Sequence, residues 1–163
     1  MKRIAIIVIL IMLSGISVVS AKIGRGTDSF DGSVSIASSN STEVDGWLSF
    51  RKKTSNTNTE YFISSSLKTL SYIKFSKEDT EIKINDQPVQ KLTVKEVSSM
   101  PSPLDSPMSF IDVTVLVPNE LAQQIASAQR IAIRIHKENS APYVYVLPDS
   151  VLAEWQEVIN AEK

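Results

Sequence analysis

The sequence predicts an α+β fold: an antiparallel β meander followed by a β-α-β-β-α unit, with two amphipathic helices packed on one face of a mixed sheet. Three observations predict it. From Trp47 to Val97, short segments rich in aromatic and branched residues alternate partially with polar ones. SFIDVTVLV, PNELAQQIASA and RIAIRIH follow as strand, helix and strand. The chain then closes on PDSVLAEWQEVINAEK, whose apolar residues fall on one helical face.

The chain opens MKRIAIIVILIMLSGISVVSAKIG. Lys2 and Arg3 form a positive start, and Ile4 to Leu13 is an unbroken apolar run. Ten such residues span ~15 Å as a helix, about half a hydrocarbon core. Val19-Ser20-Ala21 then places a branched and a small residue where a signal peptidase reads. Residues 1–21 are therefore expected to be a signal peptide cut after Ala21, with no stable membrane span after cleavage. The alternative is a retained anchor. Without cysteine after the apolar run, a lipid-modified cysteine is excluded.

The complete absence of Cys suits a bacterial envelope protein that relies on its core rather than disulfides. Removing the leader leaves 142 residues, enough for one domain with a real core. The balance is then 15 basic against 18 acidic residues, net −3. That charge predicts no nucleic-acid binding.

Residues 22–46 are rich in Ser, Gly, Thr and Asp and read as a flexible N-terminal arm, with Phe30, Val34 and Ile36 able to form one edge strand. Asp28 and Asp31-Gly32 lack calcium-loop spacing and read as a turn. Residues 47–163 read as a single α+β domain. GWLSFRK, TEYFIS, LSYIKFS, TEIKIN and VQKLTVKEV are its first strands, separated by the turns KTSNTNT, KED and NDQP. The serine runs at 64–66 and 98–99 read as solvent-facing loop residues.

SSMPSPLDSPM, residues 98–108, holds three prolines in eleven residues and is expected to be a connecting loop. In SFIDVTVLV, Ile111, Val113, Val115 and Val117 share a face. Pro118 suits the start of a helix that carries Leu121, Ala122, Ile125 and Ala128 on one side. The connection to RIAIRIH is long enough for a right-handed crossover, so those two strands are expected to run parallel. In the last helix, capped by Asp149 or Ser150, Val151, Leu152, Trp155, Val158 and Ile159 line one face at offsets 0, 1, 4, 7 and 8. Glu154 and Glu157 lie elsewhere on that wheel.

Chemistry is constrained mainly by exclusion. A single His rules out multi-His metal sites, and the lack of Cys rules out thiol catalysis and iron–sulfur ligation. G-x-S-x-G, P-loop and G-x-G-x-x-G are missing. A triad through His136 and Asp112 lacks a serine on a strained turn beside an oxyanion hole. No catalytic residue, metal or cofactor is expected.

RIAIRIHKENSAPYVYVL, residues 130–147, is expected to be a hairpin with KENSAP as its loop. His136 then faces Tyr143, Arg134 faces Tyr145, and Ile133 and Ile135 meet Val146 and Val144. With Asp112 on a neighbouring strand, Arg134, His136, Tyr143, Tyr145 and Asp112 form a candidate interaction face, Tyr and Arg being common interface anchors. Cross-strand Arg–Tyr and His–Tyr pairs are also ordinary sheet chemistry. The expected function is an exported, periplasmic or secreted, non-catalytic binding protein. Its partner would be an envelope or extracellular protein, a peptide or a glycan. One alternative is an inhibitor that inserts the 98–108 loop into a secreted hydrolase. Another is a small hydrolase using His136.

Overall fold

The computed structural model describes residues 23–42, 46–70, 73–77, 80–101 and 107–162. The expected leader, 1–21, lies outside the described residues. The elements in chain order are β1 (Ile23–Thr27), β2 (Val34–Thr42), β3 (Gly46–Thr54), β4 (Thr59–Leu70), β5 (Thr80–Ile84), β6 (Gln90–Leu92), β7 (Val94–Pro101), β8 (Met108–Val117), α1 (Asn119–Ala126), β9 (Ile131–Lys137), β10 (Ser140–Val146) and α2 (Asp149–Asn160). The fold is α+β and mostly antiparallel sheet.

Among the described residues the strands form two sheets, one ordered β1-β2-β3-β4-β8-β7 and the other β10-β9-β5-β6. Every pairing in them is antiparallel, so the expected single mixed sheet is replaced by two antiparallel ones. The expected parallel pair of β8 and β9 does not form. Both edges of β8 are occupied, by β4 and β7, and α1 carries the chain across to the second sheet.

Strict alternation builds the larger sheet. In β4, Tyr61, Ile63, Ser65, Leu67 and Thr69 are buried while the intervening residues are half-exposed. In β8, Ser109, Ile111, Val113, Val115 and Val117 do the same. The smaller sheet turns Ile82, Ile84, Ile131, Ile133 and Ile135 inward. Both inward faces and both helices share one continuous core. Burying each of these aliphatic side chains contributes ~1.5–3 kcal/mol.

Several segments depart from expectation. The stretch read as a flexible arm supplies β1 and β2, and β2 pairs along its whole length with β3 while burying Ile36 and Ser38. Its serines mislead because Ser35, Ser39 and Ser41 take the outward register of a strand, while Ser38 is buried and bonded within the core. The turn between β1 and β2 is made by aspartates: Phe30 N–H donates to Asp28 Oδ1 and Ser33 N–H to Asp31 Oδ1, both at 2.8 Å. Gly32 there adopts φ 67, which L side chains rarely adopt. The serine runs at 64–66 and 98–99 lie within β4 and β7 rather than loops. Of LSYIKFS, Leu70 ends β4, residues 71–72 lie outside the described residues, and Ile73–Ser76 join neither sheet, Phe75 making only an isolated bridge to Lys137. VQKLTVKEV divides at Thr93, so β6 and β7 enter different sheets. Of the stretch expected to be a connecting loop, 98–108, residues 98–101 belong to β7 and Met108 to β8, and residues 102–106 lie outside the described residues.

The helices begin alike. Pro118 and Pro148 hold the cap positions, and their carbonyls accept the first helical bonds from Ala122 and Leu152 at 2.9 and 3.0 Å. No side chain caps either start, so neither Asp149 nor Ser150 plays the expected role. Helix α2 packs on β2 and β3, and α1 packs on α2 and β4. Trp155 is 0% exposed and stacks on Phe50 with centroids 4.8 Å apart.

Glu154 belongs to this interior and Lys52, half-buried, to its margin. Glu154 is buried against β2, where Ser38 Oγ donates to its Oε2 at 2.7 Å and Asn40 Nδ2 at 2.9 Å. Lys52, on the inward register of β3, donates from Nζ to the carbonyls of Ile159 and Ala161 at 2.9 and 2.8 Å. It occupies the C-terminal end of α2, where free carbonyls and the helix dipole favour a cation. Burial lowers the pKa of Lys52 from its ordinary value. No helix among the described residues is long and apolar enough to cross a membrane.

Candidate binding face

The five residues expected to form one interaction face are distributed over three surfaces. The β9–β10 turn is tighter than KENSAP. Ser140 pairs with Lys137, Asn139 takes φ 55, and an irregularity follows between Ser140 and Tyr143, around Pro142, which has no N–H for the ladder. Beyond it Tyr143 pairs with Ile135, Val144 with Arg134 and Tyr145 with Ile133. The register differs by one residue from the expected one, and a one-residue slip exchanges the two faces.

Consequently Tyr143 and Tyr145 share the inward side with the isoleucines. Tyr143 stacks on Phe75 at 5.9 Å and neighbours Tyr145 at 6.4 Å. Ser65 Oγ donates to the Tyr145 hydroxyl across the core at 3.5 Å, and burial pushes that phenol's pKa up. Val144 and Val146 face outward, 56% and 53% exposed.

Arg134 and His136 lie on the outer face of the smaller sheet. Arg134 does not face Tyr145 as expected; among the described residues it is Lys137 Nζ that sits over a tyrosine of this hairpin, Tyr143, at 4.1 Å. Nor does Arg134 pair with Asp112. Its register partner Glu81 accepts its guanidinium bond at 2.6 Å, and His136 Nε2 lies 3.7 Å from the same carboxylate.

Asp112 lies on the other sheet, in a different setting. The pairings of β2, β3, β4, β8 and β7 align two rows across its outer face. One row reads Ser41, Trp47, Ser66, Asp112, Ser98. The next reads Ser39, Ser49, Ser64, Thr114, Glu96. Adjacent strands lie ~4.8 Å apart, so each row spans ~19 Å. All of these residues except Ser41 line a shallow depression of about 400 Å³.

The chemistry of the depression is mixed. Trp47 is 50% exposed and meets Phe110 at 6.4 Å, which holds the indole at one end of the depression. Ser64 Oγ and Thr114 Oγ1 are 3.0 Å apart, and Ser49 Oγ donates to the Ser64 carbonyl at 3.4 Å. These bonds orient part of the hydroxyl array. Asp112 and Glu96 are the only ionisable residues in the two rows. Two cations flank the rows on the outer face: Arg51, drawn over the Phe62 ring at 4.9 Å in the row beyond Ser49, and Lys68, in the row beyond Ser66 that it shares with Phe110.

Apart from Asp112, these residues escape a motif search because they come from five strands, each contributing only a pair at i and i+2. The available signal is alternation itself: in TEYFISSSLKTL the middle serine is buried and its two neighbours face out. Among the described residues no group of three His, Cys, Asp or Glu side chains is placed to hold a metal.

A second concavity, of about 290 Å³, lies between the end of β2 and β10 and is lined by Asn40, Thr42, Leu48, Tyr145, Val146 and Val151, among others. It is smaller and more apolar. No family model, curated protein or solved structure matches this chain.

Proposed function

We propose that this chain is an exported, non-catalytic binding protein of the bacterial envelope, periplasmic or secreted, which holds its partner on the outer face of the six-stranded sheet. The observation that carries this reading is the pair of hydroxyl and carboxylate rows with Trp47 half-exposed beside them. Trp47 leans on Phe110 on one side and keeps half of its surface open toward the rows. A half-exposed indole offers apolar area with little conformational entropy to lose on binding. The serines are short and held by the sheet, so they too lose little freedom. Export rests on the basic, apolar and small-residue pattern of residues 1–21.

This reading moves the binding surface away from Arg134, His136, Tyr143 and Tyr145. Arg134 and His136 share Glu81, and the tyrosines are largely engaged with Phe75 and the core. A hydrolase built on His136 is the weaker reading, because the residue lies on the outer face of the smaller sheet and no serine hydroxyl is bonded to its ring among the described residues.

The test is capture from the envelope fraction of the native host, using the full chain with a C-terminal tag. Wild type, Trp47→Ala/Asp112→Asn and Arg134→Ala/Val144→Thr are compared after circular dichroism shows all three folded. A partner kept by wild type and the Arg134 variant, but lost by the Trp47 variant, is the expected result. A partner lost only by the Arg134 variant would move the function to the smaller sheet.

A further inference from the structure

We infer that the ligand of this face is a neutral saccharide chain lying across the strands; the inference rests on the binding face proposed above and names its ligand class. Three properties of the two rows lead to it.

The first is composition. The interior of a protein–protein interface is depleted in Ser, Asp and Glu and enriched in large apolar and aromatic groups. Here one indole stands among seven hydroxyls and two carboxylates. A dry protein partner would strand those polar groups without bonds, each costing ~1–3 kcal/mol. A ligand that carries its own hydroxyls would not.

The second is donor and acceptor balance. Serine and threonine hydroxyls both donate and accept, whereas a carboxylate only accepts. The face therefore matches a ligand rich in O–H donors. The two rows hold two carboxylates and no cation, and Lys68 stands outward on β4 in the row beyond Asp112; the carboxylates outnumber it, which disfavours uronate, sulfate or phosphate groups by like-charge repulsion.

The third is geometry. A pyranose presents an apolar face of C–H bonds and a polar rim. Trp47 supplies a surface for the former, and the rows beside it supply partners for the latter. The strand spacing of ~4.8 Å is close to the rise of one pyranose along an extended chain. Successive sugars would thus meet equivalent hydroxyls on successive strands. An extended peptide, by contrast, gains most of its affinity at a sheet edge, where backbone groups are free.

Intrinsic fluorescence tests the idea directly. The chain has two tryptophans, and Trp155 is wholly buried, so a ligand on the sheet face changes the emission of Trp47. The full chain is titrated with hexasaccharides of β-1,4-glucose, β-1,3-glucose and β-1,4-N-acetylglucosamine, and with a hexamer of galacturonic acid. Calorimetry gives the affinities. At least one neutral oligomer should bind saturably and shift the emission, while the acidic oligomer does not. Trp47→Ala should weaken that binding at least tenfold, Trp47→Phe should retain more of it, and both variants should melt as cooperatively as wild type. Failure of all three neutral oligomers, preference for the acidic one, or binding indifferent to Trp47 would each overturn the inference. If these fail while the envelope capture still yields a Trp47-dependent protein, the binding face stands and the ligand class is wrong. If the capture also ignores Trp47, the face itself is wrong.

Discussion

The Ser38 hydroxyl donates to the buried carboxylate of Glu154 at 2.7 Å, joining β2 to α2 across 116 residues of sequence. Asn40, on the same strand, bonds both groups at 2.9 Å. This small network makes the N-terminal strands part of the domain. A strand read as a loose arm is thereby tied to the last helix. Replacing Glu154 by Leu removes the acceptor and leaves two donors facing an apolar group, at a cost of about 1–3 kcal/mol. Glu154→Gln retains a side-chain carbonyl as acceptor and should lose less. Urea unfolding of the two variants checks the order.

Lys52 completes the other end of α2. Its two bonds to Ile159 and Ala161 satisfy carbonyls that the helix leaves open. Lys52→Met keeps much of the apolar stem and removes the charge. It should cost about 1 kcal/mol and fray the last turn, seen as faster amide exchange from Val158 onward.

The stack of Phe50 on Trp155 anchors α2 to the sheet. Trp155→Ala should cost about 3–5 kcal/mol, because the cavity lies where three elements meet and cannot easily collapse. The Trp155 Nε1 has no bonding partner among the described residues. Trp155→Phe therefore removes an uncompensated donor and should cost clearly less than the alanine change. Thermal melts of both variants distinguish the two effects.

Burial raises the phenol pKa of Tyr145 above its ordinary value, and that of Tyr61 likewise. A raised folded-state pKa gives stability that is complete below the unfolded value of about 10 and is lost as pH climbs through the folded value. Lys52 acts in the opposite sense, since its folded pKa is lowered and the unfolded chain holds that proton longer. Phenolate absorbance near 295 nm should thus rise late for Tyr145, and Tyr145→Phe should remove that late component. The Tyr145→Phe difference in unfolding free energy should be constant at neutral pH and change only above about pH 10.

The register of the final hairpin is open to a simple mutational reading. Val144 and Val146 face solvent, so Thr at either position should change stability by no more than about 0.5 kcal/mol. Tyr145→Thr removes a half-buried ring from contact with Tyr143 and should cost at least about 2 kcal/mol. Equal costs at positions 144 and 145 would contradict the observed pairing.

Much of the architecture is legible in the sequence because it depends on local periodicity. The α+β class, the alternation in SFIDVTVLV, the apolar stripe of the last helix and the aspartate turn near Gly32 all follow from the residues alone. Each reflects side-chain spacing or a bond made to a near neighbour.

Pairing partners and register needed the tertiary structure. Alternation says that a strand has two faces, but not which strand lies beside it. That is why β8 and β9, adjacent in sequence, enter different sheets, and why a tight turn at Asn139 exchanges the faces of Tyr145 and Val144. It also explains the binding face. Ser41, Trp47, Ser66, Asp112 and Ser98 become one row only when five strands settle into register, each by burying the alternate residues that face the core. The sequence by itself determined the alternation; the shared core, a non-local and cooperative quantity, decided which residues it brought together.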